Sequence, residues 1–285
     1  MNGDRPGGPP PGGQIPAIEL RGASKVFRTP SGAAHTAVRD LDLTVGRGEF
    51  VAVVGPTGCG KSTTLTLVSG LEEPTEGEVL VGGEPVTGIR PEVGFVFQQD
   101  AVFPWRTVLS NVMAGPRFRG VPKAEARDRA RDWLGRVGLA SFADRYPHQL
   151  SGGQRKRVAL AQTFVCDPAI LLMDEPFSAL DVQTRALMSD ELLELWSASR
   201  ADGAAASVVF VTHDLEEAIA LADKVVVMTA GPATVKEVFP VRLPRPRKVE
   251  AVRLEPEFVE TYREIWSSLG EEVRITRERG ASRVA

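Results

Sequence analysis

The stretch EFVAVVGPTGCGKST, residues 49–63, decides the fold of this chain. EFVAVV is a continuous apolar run, which is typical of a parallel strand covered on both faces. It leads into a loop of the form GxxxxGK[ST], and the helix-forming TTLTLVSG follows. In such a loop Gly55, Gly58 and Gly60 let successive backbone N–H groups turn inward, and the helix adds the positive end of its dipole. The order of strand, loop and helix therefore predicts a site for the phosphates of a nucleotide.

The predicted phosphate site needs a cation and a metal, and the sequence offers residues for both. Lys61 is placed to reach the β- and γ-phosphates, and Ser62 to ligate Mg²⁺. The metal also needs an acidic residue at the end of another buried strand, which AILLMDEP (169–176) supplies as Asp174. Glu175 follows and is predicted to orient and activate water. An Asp-Glu pair alone is more often a solvated turn or a helix cap, so this assignment depends on the phosphate loop.

Two polar residues and one aromatic residue complete the predicted site. Gln98 follows the strand-like VGFVF and is expected to touch Mg²⁺ or the attacking water. His213 follows SVVFVT, where an imidazole can bond the γ-phosphate, although a lone histidine is more often structural. Phe27 lies ahead of the core and can stack on a nucleotide base. The alternative for Phe27 is an ordinary exposed loop residue.

The composition narrows the class of protein. With 285 residues and 42% hydrophobic content, the chain can bury a sizeable core. Its formal net charge of −3 does not suggest a nucleic-acid binder. Its two cysteines, Cys59 and Cys166, are too few for a disulfide framework. No apolar run approaches the ~20 residues that span a bilayer. We therefore predict a soluble protein of a reducing compartment, which another chain must hold if it works at a membrane.

From Ala17 onward, short apolar runs alternate with helical stretches. EFVAVV, AILLM, SVVFVT and KVVVM predict parallel strands, and residues 184–199 and 215–222 have helical spacing. The stretch 101–160 has helical patterns and no convincing strand. The sequence thus predicts an α/β domain with a parallel central sheet and a mostly helical insertion.

The two ends of the chain differ from this core. Residues 1–16 are rich in Gly and Pro, which predicts a disordered tail. After Pro240 the basic VRLPRPRK breaks regular structure, and a helix is predicted at 256–269. This helix either docks on the core or binds a partner. Its apolar residues share one predicted face; they are Phe258, Val259, Tyr262, Ile265, Trp266 and Leu269.

A second set of residues suited to a phosphate occurs at 150–154, which reads LSGGQ. A serine, two glycines and an amide stand at the start of a probable helix, where the backbone can approach an anion closely. The phosphate loop at 55–63 already meets that need. The sequence therefore raises the question of why one domain has two such cradles.

The motifs, in this order, resemble those of the ATP-binding-cassette (ABC) family. They are GPTGCGKST, the glutamine after VGFVF, LSGGQ, LLMDEP, SALD at 178–181 and VTHD at 211–214. LSGGQ is the signature sequence of that family, and the resemblance covers roughly residues 17–240. It implies the ABC ATPase fold, a P-loop NTPase with a parallel central sheet, an N-terminal antiparallel β portion and a helical subdomain at about 101–160. Residues 241–285 then form a C-terminal extension.

The resemblance also implies how two cradles work together. In the family two ATPase domains associate head to tail, and ATP lies between the phosphate loop of one and LSGGQ of the other. ATP and Mg²⁺ are the implied cofactors. Glu175, His213 and Gln98 are the implied catalytic residues, and Ser62, Gln98 and Asp174 the implied metal ligands. The implied nucleotide-binding residues are Phe27, Gly55, Pro56, Thr57, Gly58, Cys59, Gly60, Lys61, Ser62, Thr63, Ser151, Gly152, Gly153, Gln154 and Asp181.

A closer likeness is to the ATPase subunits of nitrate, sulfonate and taurine importers. It rests on FPWRTVLSNV, DEPFSALDVQTR and THDLEEAIALADKVVVM. It implies a peripheral subunit on the cytoplasmic face of the cell membrane, which drives uptake of a small anion through separate transmembrane permease subunits. Its implied partners also include a second copy or a homologous subunit and a periplasmic or extracellular solute-binding protein. Gln162 stands where relatives commonly have Arg, which leaves the subgroup and the solute open.

Other interpretations stay open beside this one. The cassette can belong to another transporter class or to an export system. A chromosome-maintenance ATPase would need a long heptad insertion, and a translation factor usually joins two cassettes; the sequence has neither pattern. Phe103, Pro104 and Trp105 either form a docking groove for a permease helix or pack inside the helical subdomain.

Overall fold

A computed structural model describes residues 15–28, 32–198 and 205–281. The strands are β1 (Ile18–Arg28), β2 (Ala34–Val45), β3 (Phe50–Val54), β4 (Glu76–Val81), β5 (Glu84–Pro85), β6 (Val93–Val96), β7 (Ile170–Asp174), β8 (Ser207–Val211), β9 (Lys224–Met228) and β10 (Val235–Pro240). The α-helices are α1 (Lys61–Ser69), α2 (Val108–Val112), α3 (Ala114–Phe118), α4 (Lys123–Arg136), α5 (Gly152–Phe164), α6 (Val182–Ser197), α7 (Leu215–Leu221), α8 (Val249–Val252) and α9 (Pro256–Ala281). They belong to two compact units, Met1–Arg90 with Ser207–Ala285, and Pro91–Ala206.

The first unit contains an antiparallel and a mainly parallel group of strands. The antiparallel sheet has the order β2-β1-β4-β5. In the other group β3 lies between β8 and β9 and is parallel to both, with Phe50 opposite Val208 and Val51 opposite Lys224. Every residue of β3 and β8 is buried, because layers cover both of their faces. The predicted α/β fold with a parallel sheet and an antiparallel β portion is confirmed.

The second unit contains a parallel strand pair and most of the helices. Val93 of β6 lies opposite Ile170 of β7. Between these strands the chain forms α2 to α5, whose packing includes a tilted contact between the rings of Trp133 and Phe164. This helical run corresponds to the insertion expected at 101–160. The compact unit is wider than that stretch, since it also includes β6, β7 and α6.

The predicted strands agree with the observed ones to within one residue at each end, whereas the terminal helix differs. Helix α9 continues to Ala281, well beyond the predicted end at Leu269. Phe258, Ile265 and Leu269 are buried, as a docked helix requires. Val259 and Trp266 lie at the margin of the same predicted face and are 38% and 56% exposed, so docking covers only part of that face.

Two sequence expectations extend beyond the described residues. The predicted Gly/Pro-rich tail at 1–16 lies outside them apart from its last two residues. The helix predicted at 184–199 is α6, which begins two residues earlier at Val182 because Asp181 caps it. Its predicted last residue, Ser199, also lies outside the described ranges.

Candidate functional site

The phosphate loop connects the end of β3 to the start of α1 and depends on its glycines. Gly58 and Gly60 have φ values of 75° and 123°, which disfavour residues with a Cβ. A Cβ at Gly60 would lie 2.5 Å from the carbonyl oxygen of Ala37 and 2.8 Å from the Cβ of Ala233. The loop is therefore wrapped against its neighbours, and only glycine fits this position.

Lys61 lies at the centre of this loop. It is only 6% exposed, and its Nζ donates to the carbonyl oxygens of Gly55 at 2.8 Å and Pro56 at 3.0 Å. An ammonium held across the mouth of the loop is already oriented toward a phosphate that enters it. Ser62 follows on the first turn of α1 and is exposed.

Cys59 is the buried residue of the loop. Its side chain is 3% exposed, and burial raises the pKa of the thiol above its ordinary value, against the opposing effect of nearby Lys61. A protonated, buried thiol is inert. Cys59 thus contributes packing and backbone to the loop.

His213 and Phe27 also lie in the first unit. His213 follows β8 and is exposed, between the buried Thr212 and the half-buried Asp214. Asp214 fixes this turn by capping α7, with its Oδ1 accepting from the backbone N–H of Glu216 at 2.9 Å. Phe27 lies near the end of β1, opposite His35, and is 37% exposed with the Nζ of Lys25 over its ring at 5.2 Å. Its exposure suits a stacking residue without distinguishing it from an ordinary surface phenylalanine.

The predicted acidic pair lies at the end of β7 in the second unit. Asp174 is the last residue of the strand, and both carboxyl groups are half-buried. Glu175 has φ 43°, a left-handed backbone conformation that residues other than glycine rarely adopt. Strain of this kind costs about 1–3 kcal/mol and concentrates at functional sites. The Nε2 of Gln98 donates to Oε2 of Glu175 at 3.4 Å, so the fold brings two predicted catalytic residues together.

Lys156 is a residue of this region that sequence reasoning missed. It is 4% exposed on α5, and its Nζ donates to the carbonyl oxygen of Gln98 at 2.7 Å and pairs with Oδ1 of Asp100 at 2.9 Å. It therefore fixes the Gln98 loop to the helix that follows LSGGQ. The signal was its position: within RKRVALAQ, Lys156 falls on the buried face of an amphipathic helix, where an unpaired lysine is costly.

The LSGGQ segment forms the start of α5 and satisfies its own polar groups. The hydroxyl of Ser151 accepts from the backbone N–H of Gln154 at 3.3 Å, and Oε1 of Gln154 accepts from the backbone N–H of Ser151 at 3.0 Å. This is a capping box, which fixes the helix start. Gly152 and Gly153 form the first turn, and a Cβ at Gly153 would lie 3.2 Å from Cγ2 of Thr184.

Asp181 caps the neighbouring helix α6. Its Oδ1 accepts from the backbone N–H of Thr184 at 3.0 Å and its Oδ2 from the hydroxyl of Thr184 at 2.7 Å. These hydrogen bonds hold the pKa of Asp181 below its usual range. Because Thr184 also lies beside Gly153, the fold brings Asp181 and LSGGQ to one region of the second unit.

The predicted site residues are thus divided between the two compact units. The first unit contains Phe27, the phosphate loop and His213. The second contains Gln98, the acidic pair, LSGGQ and Asp181. Each unit arranges its own group.

Comparison with known proteins identifies the family of the chain. Residues 38–178 match the model of the ABC transporter family. The chain is 47% identical over 233 residues to a putative ATP-binding protein of Brucella abortus, with 82% of this chain and 87% of that protein covered. It is 44% identical to the taurine import ATP-binding protein TauB of Chromobacterium violaceum, with 83% and 90% covered. It is 38% identical to the nitrate import ATP-binding protein NrtD of Synechocystis, with 88% and 94% covered.

A solved structure supports the same conclusion. The ATP-binding cassette MJ0796, a dimer in a post-hydrolysis state bound to ADP and Pi, matches with a TM-score of 0.68 and 32% identity over 80% of this chain and 100% of that one. Fold and phosphate loop together define the class, an ATPase built on an ATP-binding cassette. The chain belongs to the ABC transporter family. Within the described ranges, no helix combines the length and the apolarity that crossing a membrane requires.

Proposed function

We propose that this chain is the ATP-binding and ATP-hydrolysing subunit of an importer, with its nucleotide held by residues 55–63. The observation that carries the proposal is the phosphate loop, in which Lys61 lies across the carbonyl oxygens of Gly55 and Pro56. An incoming polyphosphate exchanges those neutral acceptors for charged ones, which bind an ammonium more strongly. Backbone N–H groups of the loop and the N-terminus of α1 add further favourable charge.

Mg²⁺ fits the donors that the chain offers. The hydroxyl of Ser62, the carboxylate of Asp174 and the amide oxygen of Gln98 are hard oxygen ligands of the kind that this ion prefers. The exposed Ser62 on the first turn of α1 has room to ligate an ion, and the half-buried Asp174 ends its strand with a carboxylate. When bound, the ion would neutralise charge on the β- and γ-phosphates.

Glu175 is proposed to orient the attacking water and accept its proton. Its left-handed backbone and its hydrogen bond from Gln98 fix the direction of the carboxylate. Gln98 then holds the same water from a second side. His213, exposed beside the capped start of α7, is proposed to contact the γ-phosphate.

The nucleotide-binding site is proposed to be completed by a second copy of the chain or a homologous subunit. Helix α5 starts at Gly152, and its capping box keeps Ser151 and Gln154 in place while leaving the glycine backbone of the first turn able to approach a phosphate. Ser151, Gly152, Gly153, Gln154 and Asp181 would therefore cap ATP held by the phosphate loop of the partner. The dimeric form of the related cassette supports this arrangement.

A permease helix is proposed to dock beside the Gln98 loop. Trp105 is 72% exposed, and the buried Asn111 holds its loop in place by donating to the carbonyl oxygens of Phe103 and Arg106 at 3.1 Å each. A cavity nearby is lined by Phe97, Phe103 and Phe118, among others. Exposed aromatic side chains on a fixed loop favour docking over packing inside the helical region. This subunit would then lie on the cytoplasmic face of the membrane, and the permease would receive solute from a separate solute-binding protein.

The names of the relatives support a small anion as the solute. One relative imports taurine and another imports nitrate. We propose nitrate, sulfonate, taurine or a related solute for this chain as well. Purification with the permease, followed by measuring which solute stimulates ATP hydrolysis, tests this choice; no stimulation by any small anion would contradict it.

Mixing two inactive variants tests the shared site. Lys61→Ala removes the phosphate contact, and Gly153→Asp places a carboxylate where the γ-phosphate of the partner would lie. If capping occurs between chains, each variant alone is inactive, whereas a mixed dimer has one intact site, so mixing restores ATPase activity.

The double variant supplies the control for this experiment. A chain that carries both changes, mixed with wild type, forms mixed dimers without an intact site. If LSGGQ instead serves the phosphate loop of its own chain, the first mixture stays inactive, and the proposed arrangement is wrong.

A further inference from the structure

The loop that follows β9, residues 229–233, supports the phosphate loop from behind. A Cβ at Gly60 would lie 2.8 Å from Cβ of Ala233, and a Cβ at Gly55 would lie 3.2 Å from Cβ of Met228, the strand residue just before the loop. Gly231 lies against Cys59, because a Cβ built on it would be 3.8 Å from the Cα of Cys59. The position of the phosphate loop therefore depends on the position of this supporting loop.

Helix α9 of the C-terminal extension holds the supporting loop with two side chains. The Oε2 of Glu272 accepts from the backbone N–H of Ala230 at 2.7 Å. The Nη1 of Arg279, two turns further along, donates to the carbonyl oxygens of Ala230 and Gly231, the latter at 2.7 Å. Both polar groups of Ala230 are thereby tied to α9.

The contact of Glu272 is more specific than helix docking requires. Glu272 is 6% exposed, and its Oε1 pairs with Nζ of Lys236 at 3.0 Å. The adjacent Glu271 also pairs with Lys236, at 2.6 Å, but its side chain is 66% exposed. Docking of the helix is thus served by both glutamates. Of these two, Glu272 also accepts a hydrogen bond from the supporting loop.

The end of α9 and the phosphate loop also line the same cavity. This cavity, about 370 Å³ in volume, is lined by Thr57, Gly58 and Cys59 of the phosphate loop and by Thr276 and Arg279 of α9. The electrostatic influence of Glu272 extends to Cys59, where it is a minor cause of the raised pKa of the thiol, after burial. Helix α9 is therefore close enough to the phosphate loop to share a cavity with it and to affect the charge of Cys59.

We infer that Glu272 and Arg279 are positioning residues for ATP binding, through the loop 229–233 that supports the phosphate loop. The inference rests on the proposed role of residues 55–63 as the ATP site. If α9 releases Ala230, the backing of Gly60 and Cys59 loosens, and the backbone N–H groups must be ordered again when ATP binds. That ordering lowers affinity for ATP. The C-terminal extension is then part of the binding machinery, although none of its residues needs to touch the nucleotide.

Substitution of Glu272 tests the inference against a matched control. Glu272→Ala should raise the dissociation constant for ATP about fivefold to tenfold, the scale of one ordinary intramolecular hydrogen bond. Glu272→Gln keeps an oxygen that accepts from Ala230 and should restore most of the affinity. Glu271→Ala removes an ion pair of the same Lys236 and should leave affinity unchanged. Thermal unfolding of all three variants separates loss of fold from loss of affinity.

A second pair of variants avoids the buried position. Arg279→Ala changes an exposed residue at the end of α9, so folding is preserved, and a smaller rise in the dissociation constant is expected. Arg277→Ala is the control, since it removes an exposed arginine from the same helix. An equal effect of both arginine variants would overturn the inference.

The thiol of Cys59 gives a readout that needs no nucleotide. In a Cys166→Ser background, Cys59 is the single cysteine of the chain, and its burial should make labelling by a thiol reagent slow. Glu272→Ala should accelerate this labelling, whereas Glu271→Ala should not. Equal labelling rates in these two variants would contradict the inference.

The two readouts distinguish failure of the inference from failure of the proposed function. If wild type does not bind ATP, or if Lys61→Ala binds it normally, the ATP site itself is wrong. If Lys61→Ala weakens binding while Glu272→Ala changes neither affinity nor labelling, the ATP site stands and the positioning role of α9 is wrong.

Discussion

The phosphate loop at 55–63 and the LSGGQ segment at 150–154 both combine glycines with a serine, but they differ in structure. In the phosphate loop Gly58 and Gly60 have positive φ, and the chain curls around a buried lysine. Gly152 and Gly153 instead lie in the first turn of an ordinary helix, and the polar side chains beside them cap one another. The phosphate loop can enclose a phosphate, whereas LSGGQ can contact one only with the N-terminal end of a helix.

This difference explains why one domain has both segments. A curled loop with its own lysine can bind a nucleotide without help. At the start of α5 the nearest arginine, Arg155, is paired with Asp100 at 3.3 Å, so the segment offers mainly backbone N–H groups and a dipole. These are weak alone and useful against a phosphate that is already held. This contrast supports the proposal that the two segments are complementary halves of a site shared between two chains.

Substitution of Glu175, the proposed catalytic carboxylate, should give the largest effect. Glu175→Gln keeps the shape of the side chain and both cradles but removes the base, so ATP binding is retained while turnover falls by ~10²–10⁴. Single-turnover hydrolysis and equilibrium binding of ATP measure the two quantities. Near-normal hydrolysis would remove Glu175 from the catalytic role.

Alanine substitution of one glycine in each cradle tests the structural contrast. Gly60→Ala places a methyl group 2.5 Å from a backbone oxygen at φ 123° and should weaken ATP binding by about tenfold to a hundredfold, the scale of 1–3 kcal/mol of strain. At Gly152 a Cβ would meet no atom closer than 3.9 Å. Gly152→Ala should therefore leave ATP binding by the single chain and thermal stability unchanged. Equal losses in both variants would contradict the contrast.

Lys156 should matter for stability on the LSGGQ side. Lys156→Met leaves Asp100 and the carbonyl of Gln98 without their buried cation, and we expect a loss of about 1–3 kcal/mol in the free energy of unfolding. Arg155→Met is the control, because Arg155 pairs with Asp100 at 3.3 Å from a side chain that is 36% exposed. Surface pairs of this kind contribute about 0–1 kcal/mol. Chemical denaturation of both variants provides the comparison.

The smallest expected effect concerns the cap at Asp181 and its dependence on pH. The pKa of this carboxyl is lowered in the fold, so its charge stabilises the folded chain at pH values above the ordinary 3.8. That contribution is lost as pH falls through the lower pKa of the folded state. Asp181→Asn should therefore lower the melting temperature slightly at neutral pH, and the difference from wild type should vanish in strong acid. A difference that persists there would point to packing instead of charge.

Much of the candidate site could be predicted from local sequence. The phosphate loop, the strand that ends at Asp174 and the helix start at LSGGQ each depend on residues close together in the chain. Glycine spacing, apolar runs and capping residues impose these local conformations. For the same reason the strands of the parallel sheet were predicted to within one residue.

Contacts between distant residues could not be read in this way. Lys156 holding the Gln98 loop and Glu272 holding Ala230 join positions that are far apart in sequence. No periodicity records such pairs, since each partner alone looks like an ordinary charged helix residue. The length of α9 was also missed, because its second half is polar and gains its place from packing and from the ties at Glu272 and Arg279.

The sequence by itself therefore determined the type of fold, the phosphate loop and the chemistry of its polar residues, because these depend on short-range backbone geometry. Only the tertiary structure decided the strained backbone of Glu175, the cation behind Gln98 and the support that α9 gives to the nucleotide loop. Those features arise when burial brings a charge against a distant backbone group, and the cost of leaving such a group unpaired fixes the contact.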